Sequence, residues 1–152
     1  MGGIGSPLET SDHFQGDLHG RFGRFDDAGY FLIVLADGTP VGRIEFERLS
    51  TRAWSAEVMI LIGDALARGK GYGADALVAL LRYLFHVRHL LRVSLSVLAG
   101  NERAIRSYDR VGFAMEGRLR DNLYFGGRYH DQLVMGILRT DFDARWGSAD
   151  AE

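Results

Sequence analysis

Residues 54–89 read WSAEVMILIGDALARGKGYGADALVALLRYLFHVRH, and the order of patterns inside them decides the fold. Residues 54–62 are apolar on both parities, with Val58, Ile60 and Ile62 against Met59 and Leu61, as expected of a central strand covered on both faces. A loop over residues 63–70 ends that run. From Gly73 to about His89 apolar residues recur at Leu77, Leu80, Leu81, Leu84 and Phe85, the spacing of an amphipathic helix. Between strand and helix lies Arg68-Gly69-Lys70-Gly71-Tyr72-Gly73. Missing side chains there let successive backbone N–H groups face an anion, and the front of a helix adds unsatisfied donors and partial positive charge. A pyrophosphate fits such a loop.

Upstream, residues 30–35 form an apolar run, Asp37-Gly38-Thr39-Pro40 supplies turn chemistry, and residues 41–49 alternate Ile44 and Phe46 with Arg43, Glu45 and Glu47. This predicts a β-hairpin. Downstream, Val93, Leu95 and Val97 alternate with Ser94 and Ser96 in a further strand over 91–98, and Asn101 can cap a helix that Gly112 ends. Residues 113–119 and 128–138 read as strands, with Gly126-Gly127 as a candidate turn between them. The sum is an α+β, or mixed α/β, fold in which a central sheet is flanked by helices.

The flanks carry less pattern. Residues 1–29 are glycine-rich without a sustained apolar period and predict an irregular or mobile arm, residues 30–139 form the domain, and the polar tail over 140–152 reads as loose. Arg21-Phe22-Gly23-Arg24-Phe25 interleaves basic and aromatic residues, a pattern that can bind single-stranded nucleic acid or pin an arm to a core. The formal net charge of -2 favours the second.

A chain of 152 residues fits one domain, and 47% hydrophobic with 25% charged residues is an ordinary globular composition. The absence of cysteine excludes disulfides, thiolate metal sites and an acyl-cysteine intermediate. No stretch approaches the ~20 apolar residues of a membrane span, and residues 1–29 lack the order of a signal peptide, so a cytoplasmic protein is expected. Five histidines, at positions 13, 19, 86, 89 and 130, form no recognisable metal constellation.

The glycine loop admits several ligands. A mononucleotide P-loop needs Ser or Thr after the lysine, and Gly71 follows Lys70. A dinucleotide fold can use Gly69-x-Gly71-x-x-Ala74, but its glycines directly follow a strand and an acid comes about 20 residues later, whereas 90–100 holds neither Asp nor Glu. A tight turn without a ligand is the remaining alternative.

The chain resembles the GNAT superfamily of N-acetyltransferases at two separated motifs. Arg68, Gly71 and Gly73 stand where that family's coenzyme A loop has Arg or Gln, Gly, and Gly or Ala. Asn101-Glu102-Arg103-Ala104-Ile105-Arg106-Ser107-Tyr108, followed by Gly112-Phe113, looks like its segment Asn-x-x-Ala-x-x-x-Tyr-x-x-x-Gly-Phe. Ala56-Glu57-Val58, the Gly69-Lys70-Gly71-Tyr72 variant and Gly-Gly-Arg-Tyr-His-Asp at 126–131 resemble the branch of ribosomal-protein alanine and spermidine N-acetyltransferases. The resemblance covers residues 30–139, and residues 1–29 are unlike the family's usual opening.

The resemblance implies a mostly antiparallel sheet with a splayed central strand, and direct transfer of acetyl from acetyl-CoA to a primary amine. By the same likeness the backbone of Met59, Ile60, Leu61 and Ile62 pairs with the pantetheine arm, and amides of Arg68, Gly69, Lys70, Gly71, Tyr72, Gly73 and Ala74 hold the pyrophosphate. Asn101, Ala104 and Ser107 join the cofactor site, and Tyr108 is the general acid. A backbone N–H such as that of Ile60 can stabilise the oxyanion.

The attacking amine must be neutral, and model α-amino and lysine groups have pKa values of about 8 and about 10.4, so a base has to act. Glu57 is the first choice. Glu45 and Glu47 are alternatives that can instead attract a cationic acceptor, as can Asp131 beside the last turn. A core aromatic is the plainer reading of Tyr108, and a non-catalytic acyl-CoA-binding module is the rival function. The acceptor stays open among a protein amino terminus, a polyamine and other small amines. Edge strands of the final hairpin can support a homodimer.

Overall fold

The computed structural model describes residues 8–10, 14–16, 28–50, 54–63 and 68–148. Strands β1 (Leu8–Thr10) and β2 (Phe14–Gly16) pair antiparallel as a small separate sheet. Then come β3 (Ala28–Val34), β4 (Pro40–Ser50) and β5 (Ser55–Ile62), followed by α1 (Tyr72–Arg82), which runs into a π-helical turn at Tyr83–Val87. β6 (Arg92–Leu98), α2 (Glu102–Val111), β7 (Ala114–Phe125), β8 (Arg128–Leu138) and α3 (Arg139–Trp146) complete the order. The main sheet runs β3-β4-β5-β6-β8-β7. Its neighbours are antiparallel except for β5 and β6, giving the mixed, mostly antiparallel fold that the sequence predicts.

The turns follow from local chemistry. Gly38 takes φ +89° and the Thr39 N–H donates to Asp37 Oδ1 at 2.9 Å, closing the β3–β4 hairpin. Gly126 and Gly127 both have positive φ, the requirement of the two-residue turn that matches strand twist, and they join β7 to β8. Leu77, Leu80, Leu81, Leu84 and Phe85 are fully buried, so the predicted stripe of α1 packs on the sheet through Phe31, Ile33 and Ile44. Each such side chain contributes on the order of 1.5–3 kcal/mol. Among the described residues no helix is long and apolar enough to cross a membrane.

One departure from expectation positions the site. β5 pairs with β6 only from Ser55↔Arg92 to Glu57↔Ser94, yet it stays on β4 as far as Ile62, while β6 stays on β8 as far as Leu98. The two parallel strands therefore part after Glu57. The pattern of residues 54–62 predicts cover on both faces, but Met59 is 64% and Leu61 52% exposed. Two apolar parities describe a strand with something apolar on each side, and a bound molecule can be one of them.

Two further differences lie at the ends. The polar stretch from residue 140, which reads as loose, forms α3, whose Phe142 is fully buried with its ring centroid 5.4 Å from that of Phe85. Only one of the eight α3 residues is buried, so no apolar period announces the helix. Within 1–29, the pairing of β1 with β2 and the start of β3 at Ala28 replace part of the expected irregular arm. Arg21–Phe25 lies outside the described residues.

Candidate active site

The part of β5 beyond its pairing with β6 walls a groove of about 700 Å³, together with the glycine loop, the front of α1 and one face of α2. Gly71 is the N-cap of α1 with φ +86°, and Gly69 has φ +75°, a region disfavoured for residues with a Cβ. The Asp75 N–H bonds the Gly71 carbonyl, whereas among the described residues no side chain caps the helix. The N–H groups of the first turn are left for a ligand. By contrast α2 is capped, Asn101 Oδ1 accepting from the Ala104 N–H at 3.3 Å. A diphosphate fits the uncapped end, which is built like an anion site.

The groove collects most of the expected cofactor residues. Ile60, Leu61 and Ile62 supply the β5 wall, Arg68, Gly69, Gly71, Tyr72, Gly73 and Ala74 the loop and helix front, and Asn101, Ala104, Ser107 and Tyr108 the α2 wall. Arg68 Nε donates to the Ile62 carbonyl at 3.1 Å, tying the loop to the strand end. Lys70 is exposed and lies outside the groove lining. Sequence reasoning missed Arg103, Arg106 and Arg110, which add three cations to the α2 wall. Their i, i+3, i+7 spacing places them along one helix face and was the available signal.

Tyr108 is half-buried beside Phe113, with ring centroids 6.2 Å apart. Burial raises its phenol pKa above the ordinary value, so the hydroxyl keeps its proton at neutral pH and can donate it.

A second cavity of about 680 Å³ opens along the other part of β5 and contains Tyr30, Glu45, Glu47, Glu57, Met59, Ser96 and Gln132. Met59, expected in the cofactor site, lines this cavity instead, and Ile60, the next residue, lines the groove. Glu57 accepts from the Ser96 hydroxyl at 3.2 Å. Glu47 stands directly across from Glu57 in the β4–β5 register, and Glu45 is held by Arg43 at 2.9 Å. Like charges on directly opposed strand residues repel. Among the described residues no cation pairs with Glu47 or Glu57, and both carboxylates line the cavity.

Asp131 falls in neither cavity. Its carboxylate accepts from the Asp121 N–H at 2.8 Å and Arg118 Nε at 2.6 Å, and these two partners hold its pKa below the usual carboxylate value. It fastens the irregular stretch of β7 between Leu119 and Leu123, where Asp121 has φ +50°. The structure thus sets it apart from the carboxylates at Glu45, Glu47 and Glu57, which share one cavity. His130 is stacked on Phe125 at a centroid distance of 3.7 Å.

A sheet that splits beside an uncapped, glycine-fronted helix, with a half-buried tyrosine across the gap, is suited to an acyl-CoA carrier. The chain belongs to the acetyltransferase (GNAT) domain family, which matches it over residues 6–114. It is 32% identical over 110 residues to the putative ribosomal N-acetyltransferase YdaF of Bacillus subtilis, covering 72% of this chain and 60% of that protein. The match thus spans less than two thirds of that relative's length. The chain is 27% identical over 136 residues to the spermidine N(1)-acetyltransferase of Vibrio cholerae, covering 90% and 78% respectively. A crystal structure of mutant forms of the spermidine/spermine N-acetyltransferase SpeG from Vibrio cholerae superposes with TM-score 0.75 and 28% identity, over 81% of this chain and 74% of that one.

Proposed function

We propose that the chain transfers the acetyl group of acetyl-CoA directly to a primary amine on a cationic acceptor. The observation that carries this reading is the division of β5 between two cavities: its end faces a groove lined by the glycine loop and three arginines, and its middle faces a cavity lined with carboxylates. Acetyl-CoA would supply an activated thioester. The loop amides of Gly69–Ala74 would hold its diphosphate, with Arg103, Arg106 and Arg110 adding positive charge, and the parted edge of β5 would bind the pantetheine arm.

In this reading Glu57 takes a proton from the incoming ammonium, leaving the neutral amine that attacks. The Ser96 hydroxyl orients that carboxylate. The Ile60 N–H polarises the thioester carbonyl as negative charge develops on its oxygen. Tyr108 gives its proton to the departing sulfur as the C–S bond breaks, and the proton shed by the acylated nitrogen as the amide forms restores the phenol. No residue is acylated, in keeping with the absence of cysteine. Glu47 and Glu57 face the acceptor with like charge, which favours a cation, so polyamines and basic peptide termini rank above neutral amines.

The exposed β7 edge, with Tyr124 and Tyr129 packed edge to face at 4.9 Å, supports a homodimer in the same proposal. The experiment is a titration of CoA by calorimetry, then an amine panel with acetyl-CoA and thiol detection. Amine-dependent thiol release, strongest with multiply charged amines, is expected. CoA binding without transfer to any amine would instead leave a non-catalytic acyl-CoA-binding module.

A further inference from the structure

Trp146 ends α3, outside the residues that match the family. Its indole Nε1–H donates to the carbonyl of Val111, the last residue of α2, at 2.8 Å. Helix-end carbonyls lack partners within their own helix. Those of Tyr108 and Asp109 accept from the N–H groups of Gly112 and Phe113, and Trp146 supplies the donor for Val111 from a separate element. Val111 lies three residues beyond Tyr108, one turn on along the same side of the helix.

The other end of this link is anchored on α1 and its π-helical turn. Arg82 donates to the Trp146 carbonyl at 3.2 Å and lies over the Phe142 ring at 5.6 Å, and His86 Nε2 is 2.6 Å from Asp143 Oδ1. The corner after α2 is tight, since a Cβ built on Gly112 would stand 3.1 Å from Ile137 and 3.6 Å from Arg145. α3 thus ties α1, whose front lines the groove, to the end of α2, which carries Tyr108.

We infer that Trp146 is a positioning residue for acetyl transfer: its indole N–H fixes the last turn of α2 and thereby the direction of the Tyr108 hydroxyl. This rests on the reading of Tyr108 as proton donor given under Proposed function. A donor displaced by about 1 Å can cost up to about 100-fold in rate while leaving ligand binding intact. A tryptophan that only secures α3 would instead change stability without changing turnover per folded molecule.

The test is Trp146→Phe, which keeps a ring and removes the N–H, in wild-type and Tyr108→Phe backgrounds. Turnover is expressed per CoA-binding site counted by calorimetry, so unfolded molecules drop out. The expected result is a kcat about tenfold lower or more, KM for acetyl-CoA and Kd for CoA within about twofold of wild type, and no further loss in the Tyr108→Phe background. Unchanged kcat per site, or a loss that adds in full to that of Tyr108→Phe, overturns the inference and leaves the acetyltransferase reading standing. A wild-type protein that binds CoA and acetylates no amine overturns both.

Discussion

Replacing Gly71 by alanine separates a glycine that serves a turn from one that serves a ligand. Gly71 caps α1 at φ +86°, where a residue with a Cβ is disfavoured by about 1–2 kcal/mol. The more restricted unfolded chain returns about 0.4–1 kcal/mol of that, so the net loss is about 1 kcal/mol and Tm falls by about 2–4 °C. Among the described residues, its chain neighbours and the helix's own backbone aside, no atom lies within 4 Å of the added Cβ, so no clash with them enlarges this figure. The methyl group instead enters the groove at the helix front, where it would hold a diphosphate off the backbone donors. Losing one hydrogen bond to a charged group costs about 1.5–3 kcal/mol, which weakens CoA binding roughly 10- to 140-fold. Gly38→Ala is the control, because Gly38 has φ +89° and equally open surroundings but lies in the β3–β4 turn. Melting curves without ligand and calorimetric titration of CoA well below Tm are the assays. A Gly71→Ala protein with lowered Tm and an unchanged Kd would refute the anion site.

Tyr108→Phe is expected to lower kcat about 10- to 100-fold with little change in CoA affinity, measured by initial rates and calorimetry. Because burial raises the folded-state pKa of Tyr108, its contribution to stability is complete below the ordinary phenol pKa and is lost as pH rises through the raised value; the basic limb of kcat lies in that same alkaline range and vanishes in Tyr108→Phe. Glu47→Gln removes a repulsive cross-strand neighbour of Glu57, so melting should show a gain of about 0.2–1 kcal/mol while KM for a cationic amine rises. Phe142→Ala should cost about 3–5 kcal/mol by denaturant titration, since its ring is fully buried between α3 and the π-helical turn. Asp131→Asn should lower Tm at neutral pH and leave the acceptor KM unchanged, because the carboxylate fastens β7 and touches neither cavity.

The central elements were legible because their signals are local. The apolar stripe of α1, the Asn101 cap and the paired glycines at 126 and 127 each need only a few neighbouring residues to be read, and all three stand in the structure. Helix α3 was not legible: a single buried phenylalanine fixes it, and its other ties run to Arg82, His86 and Val111, far away in sequence. The place of Asp131 was not legible for a related reason. A carboxylate beside a glycine turn looks free, and only the register break between Leu119 and Leu123 brings Arg118 and the Asp121 N–H onto it.

β5 is the strand on which the sequence and the folded chain disagree most usefully. Its second half places Met59 and Leu61 in solvent, and its first half places Glu57 opposite Glu47, so it violates both hydrophobic burial and charge pairing within eight residues. Either violation alone would be a modest cost to folding. Both lie near the point where β5 leaves β6: Ile60, Leu61 and Ile62 line the groove that can take a thioester carrier, and Glu57 with Met59 lines the cavity that can take a cation. A strand optimised for stability alone would keep its ladder and pair its charges. Among the described residues this one drops its ladder to β6 and leaves Glu57 without a cation while β6 and β8 stay in register from Arg92 to Leu98, which the proposed use of β5 by two ligands would account for and which makes its reading as an ordinary buried strand half right.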